Sequence, residues 1–233
     1  MSFFSLVALA PGVQTMSREM RNLSRCGDDY RDHQLLWRLF RHECETPADD
    51  GGEVETRDFL FRRRFEVHST LSYYVVSQRR PIPVEGLLTV TSKAYNPNLQ
   101  AGDRIVFELR ANPVVSRKRP GNARSVHHDL LMDAKFAARG DSSDGHSGAD
   151  PAMTWLASRA EGWGLQPHFE TLITGGHVRH RMQPGSREIV FTTLDYSGSA
   201  IVSDPDRLNS ALRDGVGKKR GFGCGLLLVR RLD

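Results

Sequence analysis

Short apolar runs and capped helices follow one another twice along this chain in one order: strand, helix, strand, strand. That order constrains the fold more than any other feature. FFSLVALA, residues 3–10, reads as a first buried strand. Asp28 and Asp29 can cap a helix over Arg31 to Arg41, with Leu36, Trp37, Leu39 and Phe40 around one apolar side. Beyond an acidic, Gly/Pro-containing loop come two strands, Phe59–Val67 and Thr70–Ser77, the second rich in β-branched and aromatic residues. Pro81 and Pro83 then punctuate the chain, leaving room for a further helix around 83–88.

A similar order starts again near Gly86. LLTVTSKAY and DRIVFELRANP are strands, and a basic, Gly/Ser-rich stretch of about 115–150 follows, with one short helix expected around 129–139. Asp150-Pro151 and Asp204-Pro205 each open a helix with proline at its favoured first position, the second running to about Asp214. Strands are expected around 168–174, 177–182, 187–195 and 199–202, and LLLVRRL closes the chain as a last apolar strand. The expected fold is α+β, two tandem ferredoxin-like (RRM-like) domains. Residues 1–85 form the first, with the first helix, and 86–233 the second, with the basic loop, a hairpin and a glycine-rich loop. The duplication rests on element order alone. Four-stranded sheets of this class commonly bind RNA, but a fold does not fix a function.

Composition removes several classes of function. No stretch approaches about 18 uninterrupted apolar residues, so no transmembrane helix and no membrane partner is expected. The opening segment has no basic n-region, and Ser5 and Pro11 interrupt its apolar run, which points to a cytoplasmic protein. Cys26, Cys44 and Cys224 form no CxxC pair, as suits a reducing compartment. The 9 histidines include no HExxH and no ligand-spaced cluster, and His127-His128 reads as a solvated pair, so neither metal nor cofactor is expected. Net charge is +4, and of the 32 basic residues only Lys93, Lys118, Lys135, Lys218 and Lys219 are lysine. Arginine's planar fork suits phosphate and base-edge recognition, yet codon bias explains the ratio equally well. Location must carry the argument.

GVGKKRGFGCG, residues 215–225, is the most distinctive segment. A dinucleotide fingerprint needs a strand before it and a helix after it; here the polarity is reversed, and the GK[ST] of a P-loop is missing. The glycines instead allow backbone N–H groups to approach a phosphate chain, with Lys218, Lys219 and Arg220 as counter-charge. The plainer alternative is a tight helix-to-strand turn with a basic tip. Tyr30 and His33, three apart on the first helical turn, share one face. Histidine titrates near about 6.5, suitable for proton transfer at neutral pH. His33 is also in register with Trp37 and Phe40, so it reads equally as a packed core residue. In the segment holding His177, Arg179, His180, Arg181 and Arg187, alternation places Arg179 and Arg181 on one face of a hairpin.

GVGKKRGFGCGLL resembles the glycine-rich signature of CRISPR repeat-processing endoribonucleases. Tyr30–Phe40 (YRDHQLLWRLF), Arg57–Phe61 (RDFLF) and Leu109–Pro113 (LRANP) resemble the CasE family, the RNA-cutting subunit of type I-E Cascade, in order and at compatible spacing. Two departures stand out: Arg220 replaces a lysine usual in that loop, and the basic stretch after RANP is long. The resemblance implies tandem ferredoxin-like domains that cut precursor CRISPR RNA at the base of the repeat stem-loop without metal. The ribose 2′-OH would attack the adjacent phosphate, leaving a 2′,3′-cyclic phosphate and a 5′-OH, and the mature guide RNA would be retained. His33 and Tyr30 would be catalytic. RNA would be held by Arg117, Lys118, Arg119, Arg124, Arg179, Arg181, Gly215, Gly217, Lys218, Lys219, Arg220 and Gly223. The implied partners are the repeat stem-loop and other Cascade subunits. The alternatives are a non-catalytic RNA-binding subunit, with His33 structural, and an unrelated basic scaffold that binds proteins.

Overall fold

The structure, a computed structural model, describes residues 2–11, 27–40, 59–64, 71–117, 126–130, 150–184, 186 and 188–232. β1 (Ser2–Leu9) is the hinge of the first sheet, with Val7 and Leu9 buried on its inner face. It pairs on one side with β3 (Ser72–Ser77) and on the other with β4 (Leu88–Tyr95), and β2 (Phe59–Arg64) pairs with β3, every pairing antiparallel. α1 (Asp28–Trp37) covers this sheet. Leu35 and Leu36, continued by Leu39 and Phe40 in a short 3-10 turn, pack on Val7, Phe59, Phe61, Tyr73, Val75 and Leu88. The apolar side read from the sequence is the one that is buried.

The second sheet runs β11 (Leu227–Arg231), β5 (Arg104–Ala111), β10 (Ile189–Val202), β8 (Leu165–Pro167), again antiparallel throughout. α2 (Pro151–Ala160) and α3 (Pro205–Asp214) bury Trp155, Leu156, Leu208 and Leu212 against Ile105, Phe107, Leu109 and Tyr196. Asp150 and Asp204 cap these helices through backbone N–H groups, as the Asp-Pro pairs predict. Counting each unit's core strands in order of appearance gives the same lateral order, fourth, first, third, second, in both sheets. This is the expected tandem ferredoxin-like architecture. Two insertions decorate the second unit: a hairpin of β6 (Val114–Arg117) and β7 (Val126–Asp129), and β9 (Ile173–Met182), which pairs with β10.

Several boundaries differ from the sequence expectation. Leu88–Tyr95, expected to open the second unit, completes the first sheet by pairing with β1. No helix forms at 83–88: Val84 bridges back to Leu88, and Gly86 at φ +66° turns the chain between them. The first unit therefore delivers its fourth strand without a second helix. The strands expected at 187–195 and 199–202 are one strand, because Gly198 lets the backbone of Leu172 pass where a side chain would crowd it. The segments 168–174 and 177–182 resolve into a 3-10 turn, Phe169–Thr171, followed by the single strand β9, which runs through Gly175 and Gly176 opposite a bulge at Thr193/Asp195. Most of the helix expected at 129–139 lies outside the described residues.

The two sheets meet through Leu60 and Val76 of the first and Leu226, just before β11 of the second, with Phe4, Tyr74, Tyr95 and Leu228 packed around them. Among the described residues no helix is long and apolar enough to cross a membrane.

Candidate active site

α1 begins one turn earlier than expected, at Asp28, and Gly27 precedes it at φ +106° with no side-chain cap. A Cβ on Gly27 would stand 3.0 Å from Met182 Cγ and 3.3 Å from the Arg181 carbonyl, so the helix start abuts the end of β9. Asp28 and Asp29 lie in the first turn, where a negative charge complements the helix dipole. Asp29 accepts from His180 Nδ1 at 2.5 Å, bridging 151 residues of sequence. His180 also meets Thr193 Oγ1 through Nε2 at 2.9 Å and stacks on Phe191 at 4.8 Å. β9 is thus pinned to the start of α1.

His33 is half-buried on the same helix. Its Nε2 accepts the Trp37 indole N–H at 2.8 Å. Its ring lies among those of Trp37, Phe59 and Phe222, at 5.9, 6.3 and 5.7 Å. A Cβ built on Gly221 would come within 3.5 Å of His33 Cε1, so the glycine-rich loop lies directly against the imidazole. Tyr30 and Phe222 each pack against the cluster of Met182, Phe191 and Cys224. Phe222 therefore joins the neighbourhoods of both predicted catalytic residues. Burial pushes the Cys224 thiol up to about 12, which keeps it protonated and inert.

Asp32 points the other way, into the core, and is 2% exposed. Arg63 Nε donates to it at 2.8 Å, the Tyr73 hydroxyl at 2.8 Å and Arg31 Nη2 at 3.0 Å. Burial pulls this carboxyl above its ordinary range, against the opposing charges of Arg63 and Arg31. The network fixes α1 to β2 and β3, and hence the angle at which His33 is presented.

The loop after α3 is held on three sides. Gly225, at φ +82°, would place a Cβ 2.3 Å from the Val216 carbonyl, so only glycine fits. The Gly225 N–H donates to the Arg110 carbonyl at 2.7 Å, and Val216 N–H donates to the Gly225 carbonyl at 2.9 Å. Arg110 forks onto Asp195 at 2.8 and 2.7 Å, while Asn112 donates to the Thr192 carbonyl at 2.8 Å. The RANP segment is thus the anchor of the glycine-rich loop. Arg220 Nη1 donates to the carbonyls of Asp214 and Gly215, which closes the end of α3. Lys219 lies with its ammonium 5.6 Å from the Phe191 ring centre and 5.7 Å from that of Phe222, a cation–π arrangement. Gly217 and Lys218 are exposed.

The structure brings Tyr30, His33 and the loop of Gly215, Gly217, Lys218, Lys219, Arg220 and Gly223 to one place. Arg220 points into the loop's own carbonyls. Gly223, buried, packs on Phe61. Arg179 and Arg181 are both exposed on β9, on the face opposite His180, and Arg181 pairs with Glu188 at 3.0 Å. The backbone of Arg117 belongs to β6, but its side chain and the whole of Lys118, Arg119 and Arg124 lie outside the described residues. Trp37, Phe222, Asp29 and the inward role of His180 were not picked out from sequence. Only the helical spacing of Trp37 to His33 offered a signal; the other contacts join distant segments.

A model of a family described as "CRISPR associated protein" matches residues 4–231. The chain belongs to that family. It is 22% identical over 213 residues to the CRISPR system Cascade subunit CasE of Escherichia coli K12, covering 88% of this chain and 93% of that protein. Its fold matches the crystal structure of the CRISPR-associated protein Cas6e from E. coli K-12, with a TM-score of 0.63, 20% identity, and coverage of 99% of this chain and 100% of that one. Thermus thermophilus Cse3, solved bound to an RNA representing a pre-cleavage complex, matches with a TM-score of 0.68, 21% identity and 98% coverage of both chains. The CasE resemblance carried by the motifs of this CRISPR-associated chain is borne out, as is the tandem ferredoxin-like fold.

Proposed function

We propose that this protein is a metal-independent endoribonuclease that processes CRISPR repeat RNA. The observation that carries the reading is the meeting of Tyr30 and His33 with the glycine-rich loop, segments from opposite ends of the chain, around Phe222. The relatives support it: one is named as a Cascade subunit, and another was solved with RNA in a pre-cleavage complex. The cut falls at the base of the repeat stem-loop. The 2′-OH attacks the adjacent phosphorus, the bond to the 5′-oxygen breaks, and a 2′,3′-cyclic phosphate and a 5′-OH remain.

Each group has a role in that reaction. His33 handles the proton at the reacting centre, and Tyr30 orients the 2′-OH or hydrogen-bonds the phosphate. Lys219 and Lys218 offset the charge that builds on the phosphorane. Arg179 and Arg181, with Arg117, Lys118, Arg119 and Arg124, hold the stem by its phosphates. The glycine-rich loop contributes through Gly215, Gly217, Arg220 and Gly223, which set its shape around the phosphate chain. After the cut the protein retains the guide RNA and sits among other Cascade subunits.

The test is cleavage of a cognate repeat RNA in excess EDTA with the product ends identified. The proposal predicts an unchanged rate and a cyclic phosphate. Loss of activity in chelator, restored by a divalent ion, would contradict it.

A further inference from the structure

We infer that Trp37 is a positioning residue for His33: its indole N–H occupies Nε2 and keeps the imidazole proton on Nδ1, beside the glycine-rich loop. The inference rests on the proposed role of His33 and adds which nitrogen presents a proton, and what enforces the choice.

An indole N–H can only donate. At 2.8 Å from the Trp37 nitrogen, His33 Nε2 must therefore be the acceptor, and a neutral imidazole that accepts at Nε2 carries its hydrogen on Nδ1. The i, i+4 spacing on α1 builds the pair, and Phe59, edge-on to the indole at 5.4 Å, holds Trp37 in place. Nδ1 is the nitrogen nearer the loop: a Cβ on Gly221 would stand 3.7 Å from it. In this state His33 offers a hydrogen bond from Nδ1 to a group lying under the loop. A phosphate oxygen or the departing 5′-oxygen fits that description. The neutral ring holds a single proton, so in this resting state it gives a hydrogen bond, and the proton transfer proposed for His33 requires Nε2 to take up a proton in exchange. Taking up a second proton at Nε2 would set two donors against each other. Proton exchange through Nε2 therefore begins only once the indole has released it.

Among the described residues, the titratable and charged groups on the elements around His33 include Asp28, Asp29, Tyr30, Arg31 and Asp32 of α1, Arg62, Arg63 and Arg64 of β2, Lys218, Lys219, Arg220 and Cys224 of the loop region, and His180 of β9. All of them are retained in the substitutions below, so a change reports the indole N–H alone.

The experiment is long-range proton–nitrogen NMR on the full-length protein labelled in its histidines, with the His33 signals assigned by comparison with His33→Gln. The native protein should show His33 as the Nδ1–H form. Trp37→Phe, which keeps an aromatic ring and removes the donor, should shift His33 to a majority of the Nε2–H form and move its titration to higher pH. The pH–rate inflection that His33→Gln removes should move in the same direction, with repeat affinity unchanged. An Nε2–H form in the native protein, or an unaltered tautomer and titration in folded Trp37→Phe, would overturn the inference. Should Trp37→Phe fail to fold, benzothienylalanine at position 37 keeps the two-ring shape and replaces N–H with sulfur. It must give the same shift, and a native tautomer there would overturn the inference equally. If His33→Gln still cuts at the native rate, the proposed function fails while the spectra still decide the role of Trp37.

Discussion

His33 belongs to two environments at once. Three aromatic rings enclose it as they would a core residue, while its remaining side meets Gly221 of a basic loop. Helical spacing alone leaves these two readings level, since it reports only which residues share a face. Its neighbour Asp32 was passed over in the sequence for the same reason: nothing in YRDH announces that Arg63, 31 residues on, and Tyr73, 41 residues on, converge on that carboxylate. Asp32→Asn removes the buried charge and leaves the part-buried Arg63 and Arg31 facing only the exposed Asp28 carboxylate. Breaking a buried ion pair costs about 3–5 kcal/mol. A denaturant titration should show a loss of that order, and a loss below about 1 kcal/mol would mean that the network contributes little to holding α1.

At the scale of elements, α1, α2 and α3 were legible because their signals are local: an apolar side, an Asp-Pro start, a glycine end. Most strands were legible as apolar runs, but their lengths and partners were not, and the short strands β6, β7 and β8 were not expected at all. Whether Ser197-Gly198-Ser199 breaks a strand or continues it depends on the Leu172 backbone packed above it. Whether Leu88–Tyr95 ends one unit or opens the next depends on β1, which lies 93 positions earlier at one end of the register (Ser2 opposite Tyr95). The glycine-rich loop was found as a motif, yet its basic residues divide by direction. Arg220 bonds the carbonyls of Asp214 and Gly215, whereas Lys218 is exposed and Lys219 lies over aromatic rings. Replacing Lys218 and Lys219 together with alanine should weaken repeat binding and flatten the salt dependence by about one to two counterions, with little loss of stability. Arg220→Ala should do the reverse, lowering the melting temperature with a smaller change in salt slope. Affinity measured across a salt series, beside thermal melts, separates the two; an equal effect of both substitutions on the salt slope would refute the division.

For the whole molecule, the two sheets share one strand order, and the candidate site forms where their units meet. α1 of the first unit supplies Tyr30 and His33; the loop after α3 and the strand β9 of the second supply Phe222, Lys219 and His180. RANP and the glycine-rich loop, the two strongest motifs, are in direct contact through Arg110 and Gly225. This contact gives a physical reason for the two to occur together. The central claim is that this junction cuts RNA with His33. The most direct measurement compares single-turnover cleavage and repeat affinity for the native protein, His33→Ala and His33→Gln, with melting temperatures alongside. The account predicts a rate lower by about 10²–10⁴-fold in both variants, the typical contribution of a general acid or base, with affinity nearly intact. A folded, tightly binding His33 variant that cuts at the native rate would contradict it.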